Sequence, residues 1–286
     1  MIAASTIQLL RIHFSVFLMP VYWFALSQLN SINNKDALLC FIILHLLVYP
    51  ASNGYNSYMD RDTESIGGIK SPLQPTKQLF YVSLLMDITA LLLSLLISVY
   101  FTVGLLLYIL ASRAYSYRGI RLKKYAIAGY LTVVIFQGAV TFLLVTHAAS
   151  VTKSTEIPVY GMAIASLLIG SFYPLTQIYQ HRQDKQDGVT TLSYILGYRG
   201  TFLFSGIVFA AAMTGLWLLL NSQHNLDGFW ITQIFLLPVT VYFLWWFSKV
   251  YRDNNEASFT NTMRMNLIAS VCSNAAFIFL FIKSIL

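Results

Sequence analysis

Apolar stretches of membrane-spanning length recur along the chain, each closed by a short polar segment. They predict helices near 8–29, 36–59, 78–100, 102–117, 125–147, 158–181, 200–220, 228–249 and 262–284. A helix crossing a bilayer needs about 20 mostly apolar residues. The fourth stretch is short and parted from the third only by Thr102-Val103-Gly104, so eight or ten spans also fit. The longest polar segments, 60–77 and 182–199, are too short to fold alone, and no repeat is visible. Residues 1–286 therefore read as a single all-α transmembrane domain, a bundle of about nine helices. The first segment has one basic residue near its start, Arg11, and no small-residue cleavage site, so it reads as a span rather than a secretion signal.

Composition agrees. Hydrophobic residues make up 57% of the chain and charged residues 10%, whereas a soluble domain carries roughly a quarter charged residues. Fourteen of the eighteen Lys and Arg fall on alternate loops and their flanking helix ends. Lys35, Lys153 and Lys283 fall on the other side, and Arg11 at the N-terminal end. Cations concentrate on the cytoplasmic side of a membrane. The N-terminus and the loops around 60–77, 113–125, 182–199 and 250–261 are thus expected in the cytoplasm, at the inner membrane if the source is bacterial. The same asymmetry accounts for the net charge of +7 without a nucleic-acid partner. Cys40 and Cys272 lie inside apolar spans and read as small buried hydrophobes.

The acids among those cations are patterned. In "NSYMDRDTE", Asn56, Asp60 and Glu64 recur every four residues, which on a helix keeps them on one face with a drift of about 40° per step. In "QIYQHRQDKQDG", Gln180, Asp184 and Asp187 are spaced four and three apart where the sixth span reaches the same side. Two oxygen-rich helix ends facing each other suit Mg²⁺, a hard cation usually held by one or two carboxylates together with waters and substrate phosphates. Lys70, Arg118, Arg121, Lys124 and Lys185 could then pair with phosphate oxygens left uncovered by the metal. A diphosphate head at the cytoplasmic rim with an apolar tail between the helices would match this layout.

These segments resemble the motifs of the UbiA superfamily of intramembrane prenyltransferases. That family has nine helices, a first motif N-D-x-x-D-x-x-x-D after the second helix and a second motif D-x-x-x-D after the sixth. Asn56, Asp60 and Glu64 stand on the positions of the first, with Ser57 where an aspartate is usual. "QHRQD" matches the second, with Gln180 in place of its first aspartate and Asp184 on its last. The following T-L-x-x-x-x-G is present as "TLSYILG", Thr191 to Gly197, and "AYSYRGIRLKKY", residues 114–125, looks like the Tyr- and Lys-bearing loop between the fourth and fifth helices.

The resemblance implies Mg²⁺-dependent ionisation of an allylic prenyl diphosphate and capture of the allylic cation by an apolar or aromatic acceptor. It implies Asp60 and Asp184 as central, catalytic metal ligands, with Asn56, Glu64, Gln180 and Asp187 supporting them. Lys70, Arg118, Arg121, Lys124 and Lys185 would bind the diphosphate. With Ser57 and Gln180 replacing aspartates, metal binding should be weaker or involve one ion fewer. A cyclase using the same ionising apparatus and an inactive lipid-binding relative are the alternatives.

Other polar residues fall inside spans. Asp87 in "LLMDITALLL" is costly there and reads as either cavity-facing or paired. His13, His45, Gln137 and Asn266 could hold an acceptor head group or tie helices together. No His/Cys cluster suggests zinc and no Walker-type loop suggests ATP use. Transport would call for paired Gly/Pro breaks in repeated halves, and these are absent from the sequence.

Overall fold

The computed structural model describes residues 2–285 and is all-α. Among the described residues, nine helices are long and apolar enough to cross a membrane: α1 (Ala4–Ser27), α2 (Asn34–Asp60), α3 (Lys77–Ser94), α4 (Val99–Ser116), α5 (Ala126–Ala149), α6 (Val159–Gln186), α7 (Leu192–Ser222), α8 (Leu226–Arg252) and α9 (Phe259–Ile285). Each packs on the next, and α9 returns to α1, closing a ring. Leucines and isoleucines such as Leu85, Leu96, Ile207 and Ile234 are exposed on its outside, as expected of surfaces solvated by lipid.

The loops fall into two groups. At one end Arg118 donates to the Met59 carbonyl (2.7 Å), Gln180 to that of Ser65 (3.2 Å), and the Thr190 amide to that of Lys124 (3.2 Å). At the other, the Asn33 amide donates to the Ala149 carbonyl (2.8 Å) and Gln223 to Gln28 (3.0 Å). The cation-rich loops thus share one end, called the cap here. The far end is closed by rings: Phe24 lies 5.1 Å from Phe142 and 5.0 Å from Phe277, all three fully buried.

Several helices are interrupted. α1 breaks at Arg11, whose φ is 46°, and continues as a 3₁₀ segment over Ile12–Phe17. α2 and α5 each contain a π-helical stretch, Ile42–Val48 and Val134–Val140, a distortion frequent at functional sites. In α6, Pro174 cannot donate to the Gly170 carbonyl one turn back, and the Tyr130 hydroxyl donates to it instead (3.2 Å). α7 kinks at Gly197, whose φ of 67° and ψ of 178° suit glycine alone.

The break between the third and fourth spans differs from the expected Thr102-Val103-Gly104. α3 ends at Ser94, and α4 starts after Ser98, whose hydroxyl accepts from the Phe101 amide (3.0 Å) and caps it. Gly104 lies inside α4, where Leu144 of α5 would sit 2.6 Å from an added Cβ. Asp87 lines neither of the cavities described below. It is paired, with Arg113 of α4.

Candidate active site

Two cavities meet inside the ring. A polar one of about 230 Å³ lies beneath the cap, and an apolar one of about 210 Å³ extends from it between α1, α2, α6 and α9. They share walls formed by Phe14, Asn53, Tyr108, Gln137, Tyr173 and Thr176. Gln137 is delivered there by the π-helical stretch of α5. The apolar cavity includes Phe277, one of the rings closing the far end.

α2 ends at Asp60 because Arg61 turns left-handed, with φ 54° and ψ 43°, and donates back to the Ser57 carbonyl (3.1 Å). The single face expected for Asn56, Asp60 and Glu64 therefore holds only for the first two, both of which line the polar cavity. Glu64 lies beyond the helix, exposed and outside the cavity, and Asp62 lines it in its stead. From α6, Gln180 and Asp184 line the opposite wall. Asp187 lies outside, ion-paired with Arg121.

Of the basic residues expected to face the site, none lines the polar cavity. Lys70, Lys124 and Lys185 are exposed. Arg118 donates to the Met59 and Asp60 carbonyls (2.7 and 3.3 Å), satisfying the orphan acceptors at the end of α2. Arg121 places Nη2 3.6 Å from Oδ1 of Asp60, a residue of the cavity wall.

The cations that do line it are Lys123 and Arg11. Lys123 pairs with Asp60 and donates to Asn56 Oδ1 (3.2 Å), which also accepts from Ser116 (2.7 Å). Arg11 donates to the carbonyls of Gly67 (3.2 Å) and Asn53 (3.4 Å) while its Nε has no partner. A cation within an apolar span is a mark of function, and that was the available signal for Arg11. Lys123 and Lys124 are adjacent in a 3₁₀ turn, so no periodicity separates them.

Polar groups are concentrated here. Gln183 donates to Asp62 Oδ1 (2.7 Å). Burial, with the Asp60 charge adding to it, pushes the Asp62 carboxyl up to about 6. Asp60 Oδ1 is buried without a hydrogen bond, as is the Tyr179 hydroxyl. At the junction with the apolar cavity the Tyr115 and Tyr173 hydroxyls bond to each other, and Gln177 donates to Tyr173 (2.9 Å). Among the described residues no three His, Cys, Asp or Glu side chains gather into a metal cluster. The oxygens of Asp60, Asp62, Asp184, Asn56 and Gln180 are of the hard kind that Mg²⁺ takes, in numbers that leave room for water and phosphate.

Solved structures share this architecture. A UbiA homolog from Archaeoglobus fulgidus, bound to DMAPP and Mg²⁺, is 16% identical over 97% of this chain and 99% of its own, with a TM-score of 0.69. The apo form of a UbiA homolog from Aeropyrum pernix K1 is 16% identical over 94% and 98%, with a TM-score of 0.70. A digeranylgeranylglyceryl phosphate synthase is 18% identical over 98% of each chain, with a TM-score of 0.62. No curated protein sequence matches the chain. The sequence model of one family nevertheless matches residues 17–268, from α1 into α9 and across both oxygen-rich helix ends. With the fold and the motif segments thus joined over most of its length, the chain belongs to the UbiA prenyltransferase family.

Proposed function

We propose that this chain is an intramembrane, Mg²⁺-dependent prenyltransferase acting on an allylic prenyl diphosphate, with its cap facing the cytoplasm. The observation that carries the reading is the continuity of a polar cavity, lined by Asp60, Asp184, Lys123 and Arg11, with an apolar one that could take a hydrocarbon tail. The A. fulgidus homolog, with DMAPP and Mg²⁺ bound, supports the same substrate class.

In this reading Asp60 and Asp184 are the central metal ligands, helped by Asn56 and Gln180, with Asp62 adding negative charge from the same cavity wall. Mg²⁺ bound there supplies positive charge to the departing diphosphate. Lys123 and Arg11 add theirs from the cavity wall, and Arg121 contributes from behind Asp60. The C1–O bond breaks with its electron pair going to diphosphate, leaving an allylic cation at the junction of the cavities. An electron pair of the acceptor forms the new bond, and the proton the acceptor gives up passes to the released diphosphate. Tyr108, Tyr173 and Phe14 at that junction present rings that could stabilise the cation. Gln180, a neutral ligand, leaves Asp184 as the carboxylate of the second motif facing the cavity.

The test is product analysis of the purified full-length protein with Mg²⁺ and prenyl diphosphates of several lengths, with and without acceptors. Transfer predicts a product containing both molecules. Acceptor-independent conversion to a cyclic hydrocarbon would replace this reading with that of a cyclase, and the absence of diphosphate release would leave a lipid-binding relative.

A further inference from the structure

Three asparagines of α9 point into the bundle or along its seams, and two have clear structural work. Asn261 donates to Glu256 (2.9 Å to the carboxylate), and Asn274 donates to the Val16 carbonyl of α1 (3.1 Å). Asn266 differs. Its side chain lines the apolar cavity, the residue is 7% exposed, and its amide nitrogen has no hydrogen-bond partner within the protein. A polar group tying helices together needs a partner on a neighbouring helix, and the amide nitrogen of Asn266 has none.

Its depth is informative. One turn earlier, Met263 Sδ accepts from the Gly68 amide of the cap (3.3 Å), so that level belongs to the roof of the site. Asn266 lies three residues further on, about 4.5 Å deeper along the helix axis. Its cavity also contains Asn53, Tyr173 and Thr176 from the junction with the polar chamber. Ser270, on the same face of α9, is already committed, donating to the Val16 carbonyl (2.9 Å). Asn266 therefore places an amide, its buried nitrogen without a partner, in the wall of the upper part of an otherwise mostly apolar chamber.

Resting on the prenyl-transfer reading, we infer that Asn266 recognises the acceptor, and that the acceptor carries an uncharged hydroxyl or carbonyl oxygen on a head group that shares the upper part of the apolar cavity with the prenyl tail. A prenyl tail offers no polar atom to an amide. A diphosphate is a multiply charged anion suited to Lys123, Arg11 and a metal rather than to a neutral amide. An acceptor oxygen matches the amide in charge and keeps the nucleophile beside the junction where C1 of the prenyl group would lie.

The experiment uses the full chain in phospholipid vesicles with Mg²⁺ and geranyl diphosphate. Two oxygenated probes, 1-naphthol and 1-O-octylglycerol, are each compared with the analogue lacking hydroxyl groups, and the pair separates an aromatic from a glycerol-type acceptor. Wild type should form product with at least one oxygenated probe. Asn266→Leu should raise the KM for that probe about ten-fold, the loss expected for one buried hydrogen bond, while the KM for geranyl diphosphate stays within about two-fold. Asn266→Ala gives the same comparison where the Leu variant does not accumulate. Unchanged acceptor KM, an equal rise in both KM values, or diphosphate release without use of either oxygenated probe would overturn the inference. Failure of the underlying reading is distinguishable, because wild type would then release no diphosphate or would convert geranyl diphosphate into a cyclic hydrocarbon.

Discussion

Asp87 of α3 and Arg113 of α4 form an ion pair inside the bundle, with the Arg113 guanidinium 4.1 Å from the centre of the Tyr55 ring on α2. The contact joins three consecutive helices away from both cavities. Removing one partner of a buried pair leaves an uncompensated charge, at a cost of about 3–5 kcal/mol, whereas replacing both by apolar residues is often neutral. Asp87→Leu should therefore lower the thermal midpoint of the detergent-solubilised protein strongly. Asp87→Leu with Arg113→Leu should recover most of it, and a double variant no more stable than the single one would refute this account.

Lys123 and Lys124 are neighbours with opposite surroundings: the first faces Asn56 and Asp60 in the polar cavity, the second is exposed. Removing one preorganised group that stabilises developing charge costs roughly 10²–10³ in turnover. Lys123→Ala should lose about that much in Mg²⁺-dependent diphosphate release, with Lys124→Ala within about three-fold of wild type on the same principle. Equal losses in the two variants would show that the cap loop binds substrate in another arrangement.

The spans were legible because a bilayer demands long apolar runs and leaves them in plain view. The finer features were not, for identifiable reasons. The boundary at Leu95–Ser98 is written in apolar residues, with the Ser98 cap as its one polar mark. α2 stops at Asp60 without a glycine or proline, by a left-handed Arg61, so helical spacing carried the reading one turn too far to Glu64 and past Asp62. Arg11 is by sequence one of many charges near a helix end, although its place inside a span sets it apart. Asn56, Asp60, Gln180 and Asp184 were legible because each pair lies on one helix or its immediate extension, where periodicity holds.

Gly197 offers a test of the "TLSYILG" segment. Thr191 caps the start of α7 by accepting from the Tyr194 amide (3.2 Å), and the Thr201 hydroxyl donates to the Gly197 carbonyl (2.7 Å). No neighbour crowds an added Cβ at Gly197, so the constraint is the backbone. Holding another residue in that conformation costs about 1–3 kcal/mol. Gly197→Ala should lower thermal stability accordingly, and a neutral effect would show that the kink relaxes.

The shared end of the cation-rich loops makes sidedness measurable. In a chain with Cys40 and Cys272 replaced by Ala, single cysteines at Lys70 and Lys185 should react with an impermeant maleimide from the cytoplasmic side of the membrane, and one at Lys35 from the other. Labelling of positions 70 and 185 from opposite sides would remove the proposed site.

Asp60 and Glu64 belong to one motif by spacing but occupy different environments. Asp60 lines the polar cavity between Lys123 and Arg121, with one buried oxygen lacking a hydrogen bond, whereas Glu64 is exposed beyond the end of α2. A metal held between α2 and α6 would draw on Asp60 and Asp184, and Asn can replace the shape of either but not its charge. Asp60→Asn and Asp184→Asn should each reduce Mg²⁺-dependent turnover by about 10²-fold or more, on the scale of losing one electrostatic contact to the transition state, and should raise the Mg²⁺ concentration needed for half-maximal rate. Glu64→Gln should leave both quantities close to wild type. Titration of activity with Mg²⁺ separates the outcomes. A Glu64→Gln loss as large as that of Asp60→Asn would mean that the segment after Asp60 rewinds to bring Glu64 to the metal, and wild-type behaviour of Asp60→Asn would remove this carboxylate from the metal site.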